Sequence, residues 1–300
     1  MNDVVPELAI DAEGRPRGQF RAMASPWEVH VAGADARETL QLTVRVAAEV
    51  RRIERKYSRY RPDGIVHAIN HAGGKAVAID DETSRLLDYA QALWETSDGL
   101  FDITTGALRR AWVFDGSDRV PSEDAIAAVL PLIGWNKIDR DGKTLRLQAG
   151  MEIDFGGIGK EYAVDRALAL AASHSPRPIL VNGGGDLAAN APPANGEPWR
   201  VGVTTGFAGA AAPSLQLFRG AVATSGDAHR YLLKNGKRYG HVLDPRSGRP
   251  VEAAPRSVTV VAGSCSEAGG HSTIALLHGA GAEAYPTTLG VEHWVYRDAS

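Results

Sequence analysis

Residues 153–168 read IDFGGIGKEYAVDRAL. Asp154 closes a short extended run and reads as the end of a strand. Gly156, Gly157 and Gly159 then turn the chain, and Lys160 opens a segment with helical character over 159–174. Free amide groups at a helix N-terminus, with a lysine beside them, suit a phosphate. This is not a P-loop. That motif needs a glycine six residues before the lysine and Ser or Thr after it, and those places hold Asp154 and Glu161. The competing reading is a tight strand-to-helix turn with a salt-bridged lysine.

The chain differs on the two sides of this turn. Before it lies ETLQLTVRVAAEVRRIERKYSRY (38–60), where Leu40, Val44, Ala47, Val50, Ile53 and Tyr57 recur every three or four residues as one face of an amphipathic helix. A second helix reads DETSRLLDYAQALWETSDG (81–99), with Leu86, Leu87, Ala90, Leu93 and Trp94 inward and Gly99 at its end. A third starts at Ser122, a plausible N-cap. Strand character appears early only at 27–31. After the turn come short β-rich runs: PILVN, WRVGVTT, SLQLF, YGHVL, SVTVVA and HWVYR, separated by glycine-rich turns, with one further helix over 266–279. This order predicts an α+β fold with antiparallel or mixed sheets. Residues 1–20 are expected to be a flexible leader and 21–300 a single domain of two packed lobes. The stretches 188–198 and 206–214 read as surface loops, the second of them mobile.

Composition narrows the function. Three hundred residues suffice for a substantial core. A net charge of −3 argues against binding driven by a nucleic-acid backbone. The single cysteine, Cys265, excludes an internal disulfide and any CxxC site, which fits a reducing compartment. No run is apolar enough to span a bilayer, and the first twenty residues do not form a signal h-region, so the sequence as given reads as cytoplasmic.

Several motifs remain open on their residues alone. ILVNGGGDLA (179–188) satisfies G-x-G-x-x-A, but no helix can follow it, so it reads as bare backbone for close approach rather than a dinucleotide fingerprint. His67 and His71 are spaced four apart without the glutamate of a zinc motif, and read as surface residues. Thr224 and Ser225 sit in a glycine turn that is either ligand-facing or plain. In RYGHVLDPRSGRP (238–250), His241 and Asp244 lie among glycines and prolines. This is either a hairpin with polar ends or a turn aiming His241 into a cleft while Val242 faces the core.

Taken in order, seven stretches resemble the ApbE-type FAD:protein FMN transferases, the flavin transferase family. They are YSRYRPDGIVHAIN (57–70), DGLFDITTGAL (98–108), IDFGGIGKEYAVDRAL (153–168), LVNGGGDLA (180–188), AVATSGDAHRY (221–231), YGHVLDPRSGRPV (239–251) and SVTVVAGSCSEAGGHSTIALLHG (257–279). The resemblance begins near MASPWEV (23–29). It implies a T-fold-like α+β core with a cleft for FAD. It implies cleavage of the FAD pyrophosphate, transfer of FMN to a Ser or Thr of a partner protein, and release of AMP. By position it implies that Met23, Tyr60, Leu100, Phe101, Asp102, Asp154, Lys160 and Leu243 contact the dinucleotide. Mg²⁺ would be held by the Gly157 carbonyl, by Thr273, and by an aspartate four residues before Thr273. His241 would be the general base for the acceptor hydroxyl. Relatives are often periplasmic or lipid-anchored.

The chain departs from the pattern twice. Gly269 stands where the metal-binding aspartate is expected, and Glu161 replaces a frequent glycine after the lysine. Mg²⁺ favours carboxylate oxygen, so the metal site is expected to be weakened. Restoring the carboxylate by Gly269→Asp is expected to raise turnover. Glu267 would substitute only with a different local turn, and His271 is a poor Mg²⁺ ligand. Three readings follow: a transferase with an altered metal site, a non-catalytic FAD-binding protein, or a pyrophosphatase releasing FMN and AMP.

Overall fold

The computed structural model describes residues 5–11, 13–193, 196–203, 205, 213–227 and 230–298. The chain opens with a meander of β1 (Glu7–Ile10), β2 (Pro16–Ala22) and β3 (Ser25–Val31). Residues 7–10 and 16–22 are therefore strands and not a leader. Gly18, Phe20 and Ala22 alternate inward along β2, which is enough to hold it on β3. Helix α1 (Ala36–Tyr57) is capped by Asp35, which accepts the Glu38 N–H. It buries Leu42, Val46, Val50, Ile53 and Tyr57, while Val44, expected inward, is exposed. The difference arises because Thr39 and Thr43 also turn inward. Thr43 fits only because Gly18 opposite it has no side chain: a Cβ there would lie 1.7 Å from the Thr43 hydroxyl.

Helix α2 (Ile65–Asn70), strand β4 (Val77–Ala78) and helix α3 (Asp81–Thr96) follow. Leu86, Leu87, Ala90 and Leu93 are buried as expected, and Trp94 packs against the same core. A 3₁₀ helix at Ile103–Arg110 leads to α4 (Glu123–Val129), whose N-cap is Ser122. Strands β5 (Asp139–Arg140) and β6 (Thr144–Arg146) join β4 in a small sheet. Helix α5 (Gly159–His174) spans the expected residues. Residues 151–155 before it are not a strand. Their backbone is held by Asn70, whose side chain bonds both Ile153 N–H and C=O, and by the Ile103 carbonyl, which accepts the Asp154 N–H.

The strand-rich half comprises β7 (Ile179–Gly183), β8 (Asp186–Ala189), β9 (Trp199–Gly202), β10 (Ser214–Leu217), β11 (Gly220–Gly226), β12 (Tyr231–Lys234), β13 (Lys237–Gly240), β14 (Ser257–Ala262) and β15 (His293–Tyr296). Helices α6 (Cys265–Leu277) and α7 (Ala284–Leu289) lie between the last two. Among the described residues the main sheet has eight strands in the order β1-β2-β3-β7-β8-β11-β14-β15, each antiparallel to its neighbours. Thr224 and Ser225 thus belong to strand β11 and not to a turn. Residues 206–212 of the loop expected to be mobile lie outside the described residues.

Alternation sorts the two sheet faces. Ile179, Val181, Ala221 and Ala223 join the large core with α1, α3 and α5. Leu180, Leu187, Ala189 and Val222 face the opposite way, under the β9–β10 hairpin. A satellite cluster of Ala107, Leu108, Trp112, Ile126, Val129, Ile133 and Leu232 joins the 3₁₀ helix, α4 and the β12–β13 hairpin. The observed class is α+β with antiparallel sheets.

Candidate active site

The turn before α5 is tight: Ile158 and Gly159 both donate their N–H to the Phe155 carbonyl. Ile158 is the N-cap and offers no side-chain bond, so beyond Gly159 the first-turn amides of Lys160 and Glu161 lack the usual side-chain cap. Two polar side chains flank this terminus. Asp154 accepts the Gly156 N–H and pairs with Arg59 at 2.5 Å. Arg59 also donates to the Tyr60 hydroxyl (2.8 Å) and stacks over the Tyr60 ring. Tyr60 is 76% exposed, so its ring is presented to solvent on a guanidinium anchored to Asp154. The Phe101 ring lies against Gly157, within 3.2 Å of where a Cβ would stand.

Asp102 is an organiser. Its carboxylate accepts from the Thr104 N–H, the Thr104 hydroxyl and the Trp135 N–H. Burial raises its pKa, and these bonds oppose that shift. Leu100, Phe101 and Asp102 are all buried at the head of the 3₁₀ helix.

Lys160 pairs with Asp186 (2.8 Å), whose other oxygen accepts the Thr224 N–H. Asp186 follows Gly184 and Gly185, the two-residue turn of the β7–β8 hairpin, with φ of +67° and +105°. These left-handed values suit glycine and match a hairpin turn, so the glycine-rich run is a hairpin and not a dinucleotide loop. The turn of β2–β3 lies beside it: a Cβ on Gly184 would stand 2.8 Å from Ser25. Met23 and Ala24 form that turn with φ of +51° and +58°, strained values for residues with side chains. Met23, Lys160 and Asp186 therefore gather at one end of the sheet.

His241 stands just past β13, which ends at Gly240 where its partner Tyr231 begins β12. The run 239–243 is thus a strand only to Gly240. The His241 Nδ1 is 3.1 Å from the Arg230 carbonyl. A carbonyl only accepts, so Nδ1 carries the proton and the neutral ring keeps its lone pair on Nε2. Burial lowers the His241 pKa, and the Arg230 charge lowers it further. Phe114 meets the imidazole edge-on, and with Asp115, Gly116, Tyr231 and Leu233 it lines a pocket of 560 Å³. Val242 packs on the main core, whereas Leu243 bridges to Pro250 and packs on the satellite cluster. Asp244 accepts the Arg246 N–H and closes the corner.

Helix α6 is seated on α5 by Asp165, which accepts from the Cys265 N–H and from Ser266. One turn along each helix, Glu161 meets Gly269. Glu161 is 8% exposed, and its Oε2 has no hydrogen-bond partner among the described residues. Burial raises its pKa, and the Asp186 carboxylate adds to the rise. Thr273 bonds Ser225, which also bonds Ser272. Glu267 is exposed and turned back to the Gly263 N–H, while His271 bonds Tyr285. His67 and His71 stack on each other. Among the described residues, no group of three or more His, Cys, Asp or Glu side chains is arranged to hold a metal. A cation here would depend on the buried Glu161 oxygen together with hydroxyl and carbonyl oxygen, a donor set that fits a hard divalent ion. Gly269→Asp, expected to restore a ligand, instead drives a side chain into Glu161.

The ApbE family model matches residues 23–290. The chain belongs to the ApbE family. This ApbE chain is 30% identical over 284 residues to the FAD:protein FMN transferase of Salmonella typhimurium, covering 90% of itself and 81% of the relative. It is 34% identical over 250 residues to a transferase of the same description from Klebsiella pneumoniae, covering 81% and 76%. It superposes on the crystal structure of the ApbE protein of Thermotoga maritima with a TM-score of 0.84 at 30% identity, covering 93% of each chain. The apo flavinyl transferase ApbE of Pseudomonas stutzeri gives 0.83 at 28% identity, covering 100% and 94%. Arg59 and Asp186, which hold Asp154 and Lys160, were not singled out in the sequence. Each stands inside a motif that was, YSRYRPDG and NGGGD. No helix in the described residues is long and apolar enough to cross a membrane.

Proposed function

We infer that this chain is an FAD:protein FMN transferase. The observation that carries the reading is the N-terminus of α5 in a chain that matches the family along nearly its whole length. Lys160 stands there beside amides that no N-cap side chain holds, a setting that suits a pyrophosphate, with Asp154 and Arg59 alongside. Met23, Tyr60, Leu100, Phe101, Asp102, Asp154, Lys160 and Leu243 form the FAD site in this reading. Tyr60, on its guanidinium support, offers a face for stacking a flat ring. Asp102 shapes the site by fixing the 3₁₀ helix and the Trp135 backbone.

His241 Nε2 accepts the proton of a Ser or Thr hydroxyl on the acceptor flavoprotein. The hydroxyl oxygen forms a bond to the phosphorus that carries FMN. The bond from that phosphorus to the bridging oxygen breaks, and the bridging oxygen leaves on AMP. The lowered His241 pKa keeps the ring neutral at physiological pH, as a base requires. The Gly157 carbonyl and the Thr273 hydroxyl would hold Mg²⁺, which would neutralise pyrophosphate charge when bound.

The test is to incubate the chain with FAD and Mg²⁺, with and without an acceptor carrying the Ser or Thr site, and to separate the nucleotides. AMP release that requires the acceptor is the expected result. AMP with free FMN in its absence would make the chain a pyrophosphatase. Bound, intact FAD in both arms would make it a carrier.

A further inference from the structure

Glu161 stands in the first turn of α5, and Gly269 lies one turn into α6. A Cβ on Gly269 would lie 2.4 Å from Glu161 Cγ, 3.1 Å from Cδ and 3.3 Å from Oε1. The Glu161 side chain therefore occupies the space that a side chain at 269 would take. The Asp165 bonds to the start of α6 fix this register between the helices. The carboxylate is buried and its Oε2 has no partner among the described residues. Nearby, Lys160 is paired with Asp186. With both carboxylates ionised, one negative charge would be uncompensated against a single ammonium in a buried place. Such a charge needs a cation or a proton. Thr273 follows Gly269 by four residues, so the two share one face of α6.

We propose that Glu161 is the carboxylate ligand of the divalent cation in this chain, projected from α5 into the place left open by Gly269 on α6. The proposal rests on the transferase reading for the identity of the cation's role. In this arrangement the carboxylate comes from α5 and the Thr273 hydroxyl from α6. The glycine at 269 and the glutamate at 161 are then two halves of one change, and neither is a defect. The rival account is that Glu161 keeps a proton shared with Asp186 and meets no metal.

The experiment uses the full chain and Mn²⁺ as a paramagnetic stand-in, followed by electron paramagnetic resonance with Mg²⁺ in competition, with and without saturating FAD. Flavin fluorescence measures FAD binding separately. The variants are Glu161→Gln, Gly269→Asp and the double change Glu161→Gly with Gly269→Asp, each checked for folding by thermal melt. The wild type is expected to bind one Mn²⁺ that Mg²⁺ displaces. Glu161→Gln should weaken binding at least about tenfold, because a charged ligand becomes a neutral amide. The double variant should recover most of it, since it moves the carboxylate back to α6. Gly269→Asp alone should melt lower. Wild-type Mn²⁺ affinity in Glu161→Gln, no Mn²⁺ binding by the wild type, or a folded double variant without Mn²⁺ would each overturn the proposal. Failure of the wild type to bind FAD would instead remove the transferase reading, while the Mn²⁺ comparison still decides whether Glu161 is a ligand.

Discussion

Replacing Gly269 by alanine sets two effects of opposite sign against each other. In a helix interior, alanine is favoured over glycine by about 1 kcal/mol. Helix propensity alone therefore makes Gly269→Ala stabilising. The packing says otherwise, because the new Cβ would stand 2.4 Å from Glu161 Cγ. That atom is near the root of a side chain that is itself buried, so it cannot swing into solvent. Overpacking of this kind costs about 1–3 kcal/mol. With a contact this short the upper part of that range applies, and the net destabilisation is about 1–2 kcal/mol. For a chain of this size the melting temperature should fall by about 2–3 °C. In a Glu161→Ala background the obstacle is gone, and the same Gly269→Ala change should become stabilising by up to about 1 kcal/mol. Differential scanning calorimetry on the four proteins reads the coupling directly. A Gly269→Ala melt at or above wild type, with no change of sign in the Glu161→Ala background, would refute the contact between the two helices.

Other expectations follow from the site and the core. His241→Ala should lower kcat about 10²–10⁴-fold and leave FAD affinity near wild type, as measured by AMP release and flavin fluorescence. Because the His241 pKa is lowered from 6.5, the acid limb of the kcat/KM profile should lie below that value, and activity should fall as pH drops through it. Asp154→Asn removes the partner of Arg59, which positions Tyr60, and should weaken FAD binding by about 1–3 kcal/mol in a fluorescence titration. Glu28 is held at about 2 rather than 4.5, chiefly by its bond with His30, and Asp80 is held at about 2 by Lys56 and Thr83 against the opposing effect of burial. Depressed carboxyl groups stabilise the fold above their ordinary pKa, so thermal stability should decline as pH falls from about 4.5 toward 2.

Much of the architecture was legible in the sequence where periodicity was strong. Helix α5 was bounded at 159–174 and the N-cap at Ser122 was plain, whereas the end read at Gly99 comes earlier, at Thr96 with Ser97 as C-cap. Strands made of small or polar residues were not legible. Strand β8 reads DLAA, with no β-branched or aromatic residue, and in β11, GAVATSG, Val222 and Thr224 are separated and flanked by glycine and alanine. The edge strand β1 and its neighbour β2 are short runs broken by polar residues, glycine or proline, and read as a leader. The site was legible as an ordered set of motifs but not as geometry. Arg59 and Asp154 are far apart in the chain, as are Lys160 and Asp186, and one sequence carries no record of which charges meet. Gly269 and Glu161 each looked like an isolated departure until the helices were packed. Their side-chain space is shared: a Cβ on Gly269 would stand 2.4 Å from Glu161 Cγ.

The central claim is transfer of FMN onto a protein hydroxyl. Intact-mass spectrometry of an acceptor flavoprotein, after incubation with this chain, FAD and Mg²⁺, tests it most directly. The expected result is an acceptor heavier by one phosphoester-linked FMN, with AMP formed in equal amount, and neither product when the acceptor Ser or Thr is replaced by alanine. An acceptor of unchanged mass, with FAD intact or with FMN and AMP both free in solution, would contradict the account.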